Sequence, residues 1–250
     1  MGCYAYRDSS GASELLYDHL VATYMLASSR WETSAISRKV SSVLNLEENE
    51  VRESILLAAL LHDIGKAEKR LQDECQKGAC KRFPQHYLIS AFYAYTVLSE
   101  ALNLKLSTSR IAAILDEDRG DRAELIILLV VFPVAFHHYH QVASYESYRK
   151  LGERDLLVHA ACKDCLMKPL GEFVKEKFEV LRGAGDQLEN LPNLLASNRR
   201  NAQASRILVS NIGEIIQRVA RPRGFLAMAI EAATGVVNLC DSTAARVHRG

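Results

Sequence analysis

The chain has 250 residues, and 31 Lys+Arg against 30 Asp+Glu leave a formal net charge of +1. That balance excludes a strongly basic nucleic-acid-binding domain and a basic membrane-surface tail as default readings, so any partner has to be argued from a site. Hydrophobic residues at 48% and charged residues at 24% exclude the disordered, collagen-like and coiled-coil classes.

With only 5 Pro and 13 Gly, turn-forming residues fall below the usual ~5% and ~7%. Apolar residues recur at i, i+3, i+4 and i+7 in nearly every window and no run alternates convincingly, which predicts an all-α fold. In chain order, helices are expected at Ser13 to Ser29, Ser34 to Leu44, Glu50 to Ile64, Pro84 to Leu102 and Thr108 to Leu115. Further helices are expected at Arg122 to Tyr139, Arg154 to Met167, Leu170 to Leu181, Ala202 to Ala220 and Gly224 to Arg246. Pro84 and Pro169 are placed to open helices, and Gly65 to stop one. Pro133, inside the most apolar helix, is expected to kink it one turn before His137.

The polar stretch Glu189 to Gln203 reads as a connection or exposed hairpin, and no segment has the composition of an interdomain linker. A single domain over residues 1–250, with its core at about 13–246, is the expectation. The most apolar run, Leu125 to Phe136, is shorter than the ~20 residues a membrane span needs. The start M-G-C-Y-A-Y-R-D-S-S lacks the charged and apolar regions of a secretory signal, so a cytoplasmic protein with no membrane association is expected.

Six cysteines, at 3, 75, 80, 162, 165 and 240, are too few and too scattered for a disulfide scaffold. Cys162 and Cys165 with Cys75 and Cys80 have the spacing for a four-thiolate zinc site or a local disulfide. The preferred reading treats Cys162 and Cys165 as small hydrophobes in an apolar helix-like stretch.

The chemistry concentrates in imidazoles and carboxylates. The segment E-V-R-E-S-I-L-L-A-A-L-L-H-D-I-G-K is a buried helix that ends in His62 and Asp63. Adjacent helical residues point about 100° apart, but at a helix end both can converge on one ion. His19, His86 and the pair His137-His138 also sit in apolar surroundings, as does Asp241. Imidazole with carboxylate suits first-row transition metals such as Mn, Fe, Co, Ni or Zn better than calcium.

The motif H-D-I-G-K, with an earlier His, a later isolated His, a His-His pair and a final Asp in that order, resembles the HD superfamily of metal-dependent phosphohydrolases. Within it, A-L-L-H-D-I-G-K-A, F-P-Q-H-Y-L-I-S-A, the His-His pair and L-C-D-S-T-A-A are similar to the stand-alone HD nuclease of CRISPR systems. That protein is the counterpart of the nuclease domain fused to the type I interference helicase. The resemblance spans about residues 13 to 246, and the chain has no G-x4-G-K-[ST] phosphate loop.

The resemblance implies a single HD-domain helical bundle with a dinuclear metal site. His19, His62, Asp63 and Asp241 would hold one ion, and Asp63, His86, His137 and His138 the other. The two divalent ions would be Mn, Ni, Co, Fe or Mg. Asp63 and Lys66 would be catalytic, with Lys66 neutralising phosphate charge. Where the family often has Gly after the pair, this chain has Tyr139 and then His140, so His138 with His140 is an alternative pair. Asp164 is a rival to Asp241, while His159 and His248 are read as non-ligands.

The activity implied is a metal-dependent nuclease on DNA, with single-stranded DNA as the expected substrate, working with a separate helicase subunit and a targeting complex. Substrate contacts are expected at Lys81 and Arg82, with Lys77, Arg199, Arg200 and Arg206 as further candidates. The alternatives are a phosphohydrolase of small nucleotides, and a non-catalytic docking subunit with a structural metal. The near-neutral charge implies weak intrinsic DNA affinity and delivery of the substrate by a partner.

Overall fold

A computed structural model describes residues 2–78, 80, 82–138, 155–197 and 224–249. The chain opens with a small antiparallel hairpin, β1 (Tyr4–Arg7) and β2 (Ser13–Leu15), in which Tyr6 faces Glu14 and Arg7 faces Ser13. Its turn is built by Asp8, whose Oδ1 accepts from the amides of Ser10 (2.9 Å) and Ala12 (3.0 Å). Strands of three and four residues are too short to show alternation, so this hairpin corrects the strand-free expectation, and the first helix starts at Leu16 rather than Ser13.

Helices α1 (Leu16–Ser29), α2 (Trp31–Leu44) and α3 (Glu48–Leu61) follow, α3 opened by a reciprocal cap between Glu47 and Glu50. A 3-10 turn (Ile64–Ala67) leads into α4 (Lys69–Gln76), capped by Glu68. Next come α5 (His86–Ala101), α6 (Thr108–Glu117) and α7 (Arg122–Phe136). After a short helical turn at Ala160–Cys162 and a π-helical turn at Lys163–Met167 come α8 (Lys168–Lys177), α9 (Gly183–Ser197) and α10 (Phe225–Arg249). The all-α class therefore stands.

Helices α3 and α7 are central, with Ile55, Leu57, Leu60 and Leu61 on one and Ile127, Leu128, Val130 and Phe132 on the other almost wholly buried. A helix apolar on every side belongs inside, and each such side chain contributes about 1.5–3 kcal/mol on burial. Helix α3 packs on α1, α2, α7 and α10, and α5 packs on α7, α9 and the 3-10 turn. Over Phe225–Arg246, α10 is long and apolar enough to cross a membrane, but half of that stretch is buried in the protein.

Several boundaries differ from expectation. Glu189 to Gln203 is not a connection throughout: to Ser197 it continues α9, which buries Leu188, Leu191 and Leu195 on one face beneath an Asn-rich exterior. Leu156 and Val158 are extended rather than helical, because Lys69 N donates to Leu157 O (2.8 Å) and His159 N to Ala67 O (2.9 Å). Pro84 precedes α5 by a turn in which Gln85 is left-handed, at φ 61°. Pro133 lies within an α7 that continues to Phe136. The expected helix at 202–220 lies outside the described residues.

The cysteine reading also needs correction. Cys3 is bridged to Cys162 and Cys75 to Cys80, leaving Cys165 exposed and Cys240 buried as free thiols. Cys3 and Cys162 are 159 positions apart, so local spacing carried no sign of the pairing. Only Cys240 is a buried free thiol, and burial pushes its pKa up to about 11.

Candidate metal centre

The ends of three helices, the first turn of a fourth and the interior of a fifth deliver the polar cluster. His62 closes α3, His86 opens α5, and His137 closes α7 with His138 next in the chain. His19 sits in the first turn of α1, and Asp241 lies along α10. Asp63 follows α3 at φ −110°, ψ 6° and is 1% exposed.

The two Asp63 oxygens divide the histidines between them. Oδ2 lies 3.3 Å from His19 Nε2 and 3.6 Å from His62 Nε2, while Oδ1 lies 2.9 Å from His86 Nε2 and 3.3 Å from His137 Nε2. Asp241 Oδ1 completes the first side, 3.2 Å from His19 Nε2 and 3.4 Å from His62 Nε2. His138 completes the second, its ring centroid 4.3 Å from that of His137 and 4.8 Å from that of His86. The groups His19, His62, Asp63, Asp241 and Asp63, His86, His137, His138 each bring their donor atoms within 4.8 Å of one another.

The outer nitrogens decide which atom of each ring faces inward. Nδ1 of His62 lies 2.8 Å from Ala59 O, that of His86 2.5 Å from Phe83 O, and that of His137 2.6 Å from Val134 O. A carbonyl only accepts, so each Nδ1 carries the hydrogen and each Nε2 presents its lone pair to the cluster. The inner nitrogens of His19, His62 and His86 are buried with no hydrogen-bond partner. Each such orphan costs about 1–3 kcal/mol, which a bound cation removes. Imidazole lone pairs with shared carboxylates are the donor set of divalent transition metals, so the residues present fit two such ions.

Without a cation, the two halves bind protons very differently. Burial opposes charge on His19, but the nearby carboxylates of Asp241, Asp63 and Glu14 outweigh it and raise its pKa to about 10. Burial lowers His137 to about 4 despite Asp63, and burial with the nearby His137 and His86 lowers His138 to about 3. Burial would raise Asp63, yet Lys66 and the imidazoles hold it well below the usual carboxylate range, as His19 and His62 do for Asp241.

Lys66 is 7% exposed rather than solvated, with its ammonium on Asp63 Oδ2 and 5.2 Å from the centroid of the Phe83 ring. Gly65 lies against the first turn of α5, where its amide donates to Ser90 Oγ at 2.8 Å. A Cβ there would collide with backbone atoms of His86 and Ser90, so Gly65 serves close approach rather than a chain-reversing stop.

Among the other candidates, Arg82 and Lys77 are exposed, and Asp164 is exposed on the π-helical turn and belongs to neither donor group. His159 caps the turn at Ala160 and lies 3.4 Å from Asp73. Lys81, Tyr139, His140, Arg199, Arg200 and Arg206 lie outside the described residues, as does the side chain of His248.

Two supporting residues escaped sequence reading. Glu14 Oε1 lies 2.9 Å from His19 Nδ1, and Gln72 donates from Nε2 to both Lys66 O and Tyr4 O at 2.8 Å. No motif marks either. Ser90 had a signal, since it belongs to the Ser-Ala pair that follows His86.

A family model described as "Cas3, HD domain" matches residues 5–138, which include every cluster residue except Asp241. No curated protein matches the chain. A solved structure described as "Crystal structure of CRISPR-associated protein" aligns at 17% identity and a TM-score of 0.39 over 96% of this chain. The chain spans 26% of that protein's length. On a match covering more than half its residues, the chain belongs to the Cas3 HD-domain family.

Proposed function

We propose that this chain is a metal-dependent nuclease that hydrolyses phosphodiester bonds of DNA, single-stranded by preference, in type I CRISPR interference. The observation that carries the reading is the division of Asp63, one oxygen toward His19 and His62 and the other toward His86 and His137. His19, His62, Asp63 and Asp241 would hold one divalent ion, and Asp63, His86, His137 and His138 the other. Such a pair polarises a phosphodiester and activates water near neutral pH.

The chain's own residues set the stage for that chemistry. The Nδ1–H contacts fix the rings so that ligand geometry exists before any ion arrives. Lys66, buried beside Asp63, is placed to balance phosphate charge in a poorly solvated site. The separate helicase subunit and targeting complex remain the proposed means of exposing the strand in the cytoplasm. One contiguous hydrophobic cluster runs from Cys3 to Cys240, which supports the single-domain reading.

The test is cleavage of single- and double-stranded DNA and of RNA by purified protein with Mn, Ni, Co, Fe or Mg, beside His62→Ala and Asp63→Ala. Cleavage of single-stranded DNA by the parent alone supports the reading; intact DNA in every metal overturns it. Deep burial of His19 and His62 favours, as a second reading, hydrolysis of small nucleotides, and turnover of nucleotides without oligonucleotide cleavage would establish it.

A further inference from the structure

His19 is held differently from His62, His86 and His137. His62 and His137 close their helices, where the last turn leaves carbonyls without helical partners, and each uses the carbonyl three residues back. His86 opens α5 and uses Phe83 O in the preceding turn. His19 is the fourth residue of α1, where the carbonyl three residues back already serves the helix ladder. Its acceptor has to come from elsewhere, and that acceptor is Glu14, only 5% exposed on a strand whose neighbours Ser13 and Leu15 are exposed.

The placement of Glu14 is built rather than incidental. Pairing of Tyr6 with Glu14 sets its register, and Asp8 shapes the turn that allows the pairing. Gln72 accepts from Tyr4 N at 3.0 Å and donates to Lys66 O, so the hairpin is fastened to the turn that bears Lys66. Glu14 Oε1 meets Nδ1, at the edge of the ring away from Nε2, which leaves Glu14 outside both donor groups.

Resting on the two-metal reading above, we infer that Glu14 is a positioning residue for the first ion: its carboxylate orients His19 and makes Nε2 a stronger donor. The carboxylate–imidazole–metal arrangement is a general one, and losing the outer partner typically costs 10–100-fold in metal affinity. Nothing in the H-D-I-G-K motif encodes it, because the acceptor comes from a strand that precedes α1.

The test is Co(II) titration of the metal-free protein, followed by the visible absorption of the bound ion, for the parent, Glu14→Ala and Glu14→Gln. In Glu14→Ala one of the two dissociation constants is expected to rise about 10–100-fold while the other stays unchanged. Glu14→Gln keeps an acceptor oxygen without the charge and is expected to fall between. If Glu14→Ala does not fold, the Glu14→Gln shift decides alone. Unchanged constants in the variants overturn the inference. So does equal weakening of both sites in step with a lower melting temperature, which would mark a purely structural role. A parent that binds no Co(II) overturns the two-metal reading itself, and the inference with it.

Discussion

Gly65→Ala tests whether the contact between the H-D-I-G-K turn and α5 holds the second half of the site together. The added methyl would meet the His86 carbonyl oxygen, the Ser90 amide nitrogen and the Ser90 hydroxyl, all well inside van der Waals contact. Two of these three atoms are backbone, so a rotamer change cannot relieve the clash and the first turn of α5 has to move. Overpacking of this kind costs about 1–3 kcal/mol, whereas replacing Gly by Ala within a helical segment gains about 0.5–1 kcal/mol. Overpacking therefore wins. At about 2–4 °C per kcal/mol for a chain of this size, the melting temperature should fall by several degrees.

The displacement matters more than the stability. His86 is the first residue of α5 and its Nε2 stands 2.9 Å from Asp63 Oδ1, so moving that turn withdraws a donor from the second group and leaves His19, His62 and Asp241 in place. On the two-metal proposal, elemental analysis of the loaded variant should find one ion per chain against two for the parent. A misplacement of about 1 Å can cost 100-fold in rate, so cleavage should fall at least that far. A Gly65→Ala protein that melts with the parent and keeps both ions would refute the packing argument.

Metal binding should release protons at neutral pH, because His19, raised to about 10 in the metal-free protein, has to lose its proton to become a ligand. His137 and His138, lowered to about 4 and 3, are already neutral there. The sign is that apparent affinity climbs as pH rises from 6 toward 10; calorimetry in buffers of differing ionisation enthalpy measures the release, and a buffer-independent heat would contradict it. Lys66→Gln removes the cation that competes with metal for Asp63, so Co(II) should bind more tightly even as DNA cleavage falls about tenfold or more, on the scale of a lost electrostatic contact. Weaker Co(II) binding would instead mean that Lys66 holds the ligands in place. Reduction of the Cys3–Cys162 bridge, with a sequence separation of 159, should cost about 5 kcal/mol at the loop-entropy limit, against about 2 kcal/mol for the short Cys75–Cys80 loop. Melting curves of Cys3→Ser and Cys75→Ser beside the parent compare the two, and an equal loss would refute the loop-length argument.

What could be read in the sequence, and what could not, follows the range of the interactions. His62 and Asp63 announce themselves because a buried apolar helix ends in two adjacent ligand-type residues, a local pattern. His19, His86 and the His137-His138 pair are legible as polar interruptions of apolar faces, and their order along the chain points to the family. The outer contacts of His62, His86 and His137 are also local, since each uses a carbonyl three positions earlier. The contacts that lacked any signal connect distant segments: Cys3 with Cys162, Gln72 with Tyr4, and Glu53 with the amides of residues 179–181 at 2.8–2.9 Å. Glu14 is the instructive intermediate. It lies only five positions before His19, yet at the head of a predicted helix an acidic residue reads as a partner of the helix dipole. Only the hairpin, too short to show a strand period, turns the same residue inward onto His19. Support for a site is hardest to see where one common residue type has two physical uses, and the fold alone chooses between them.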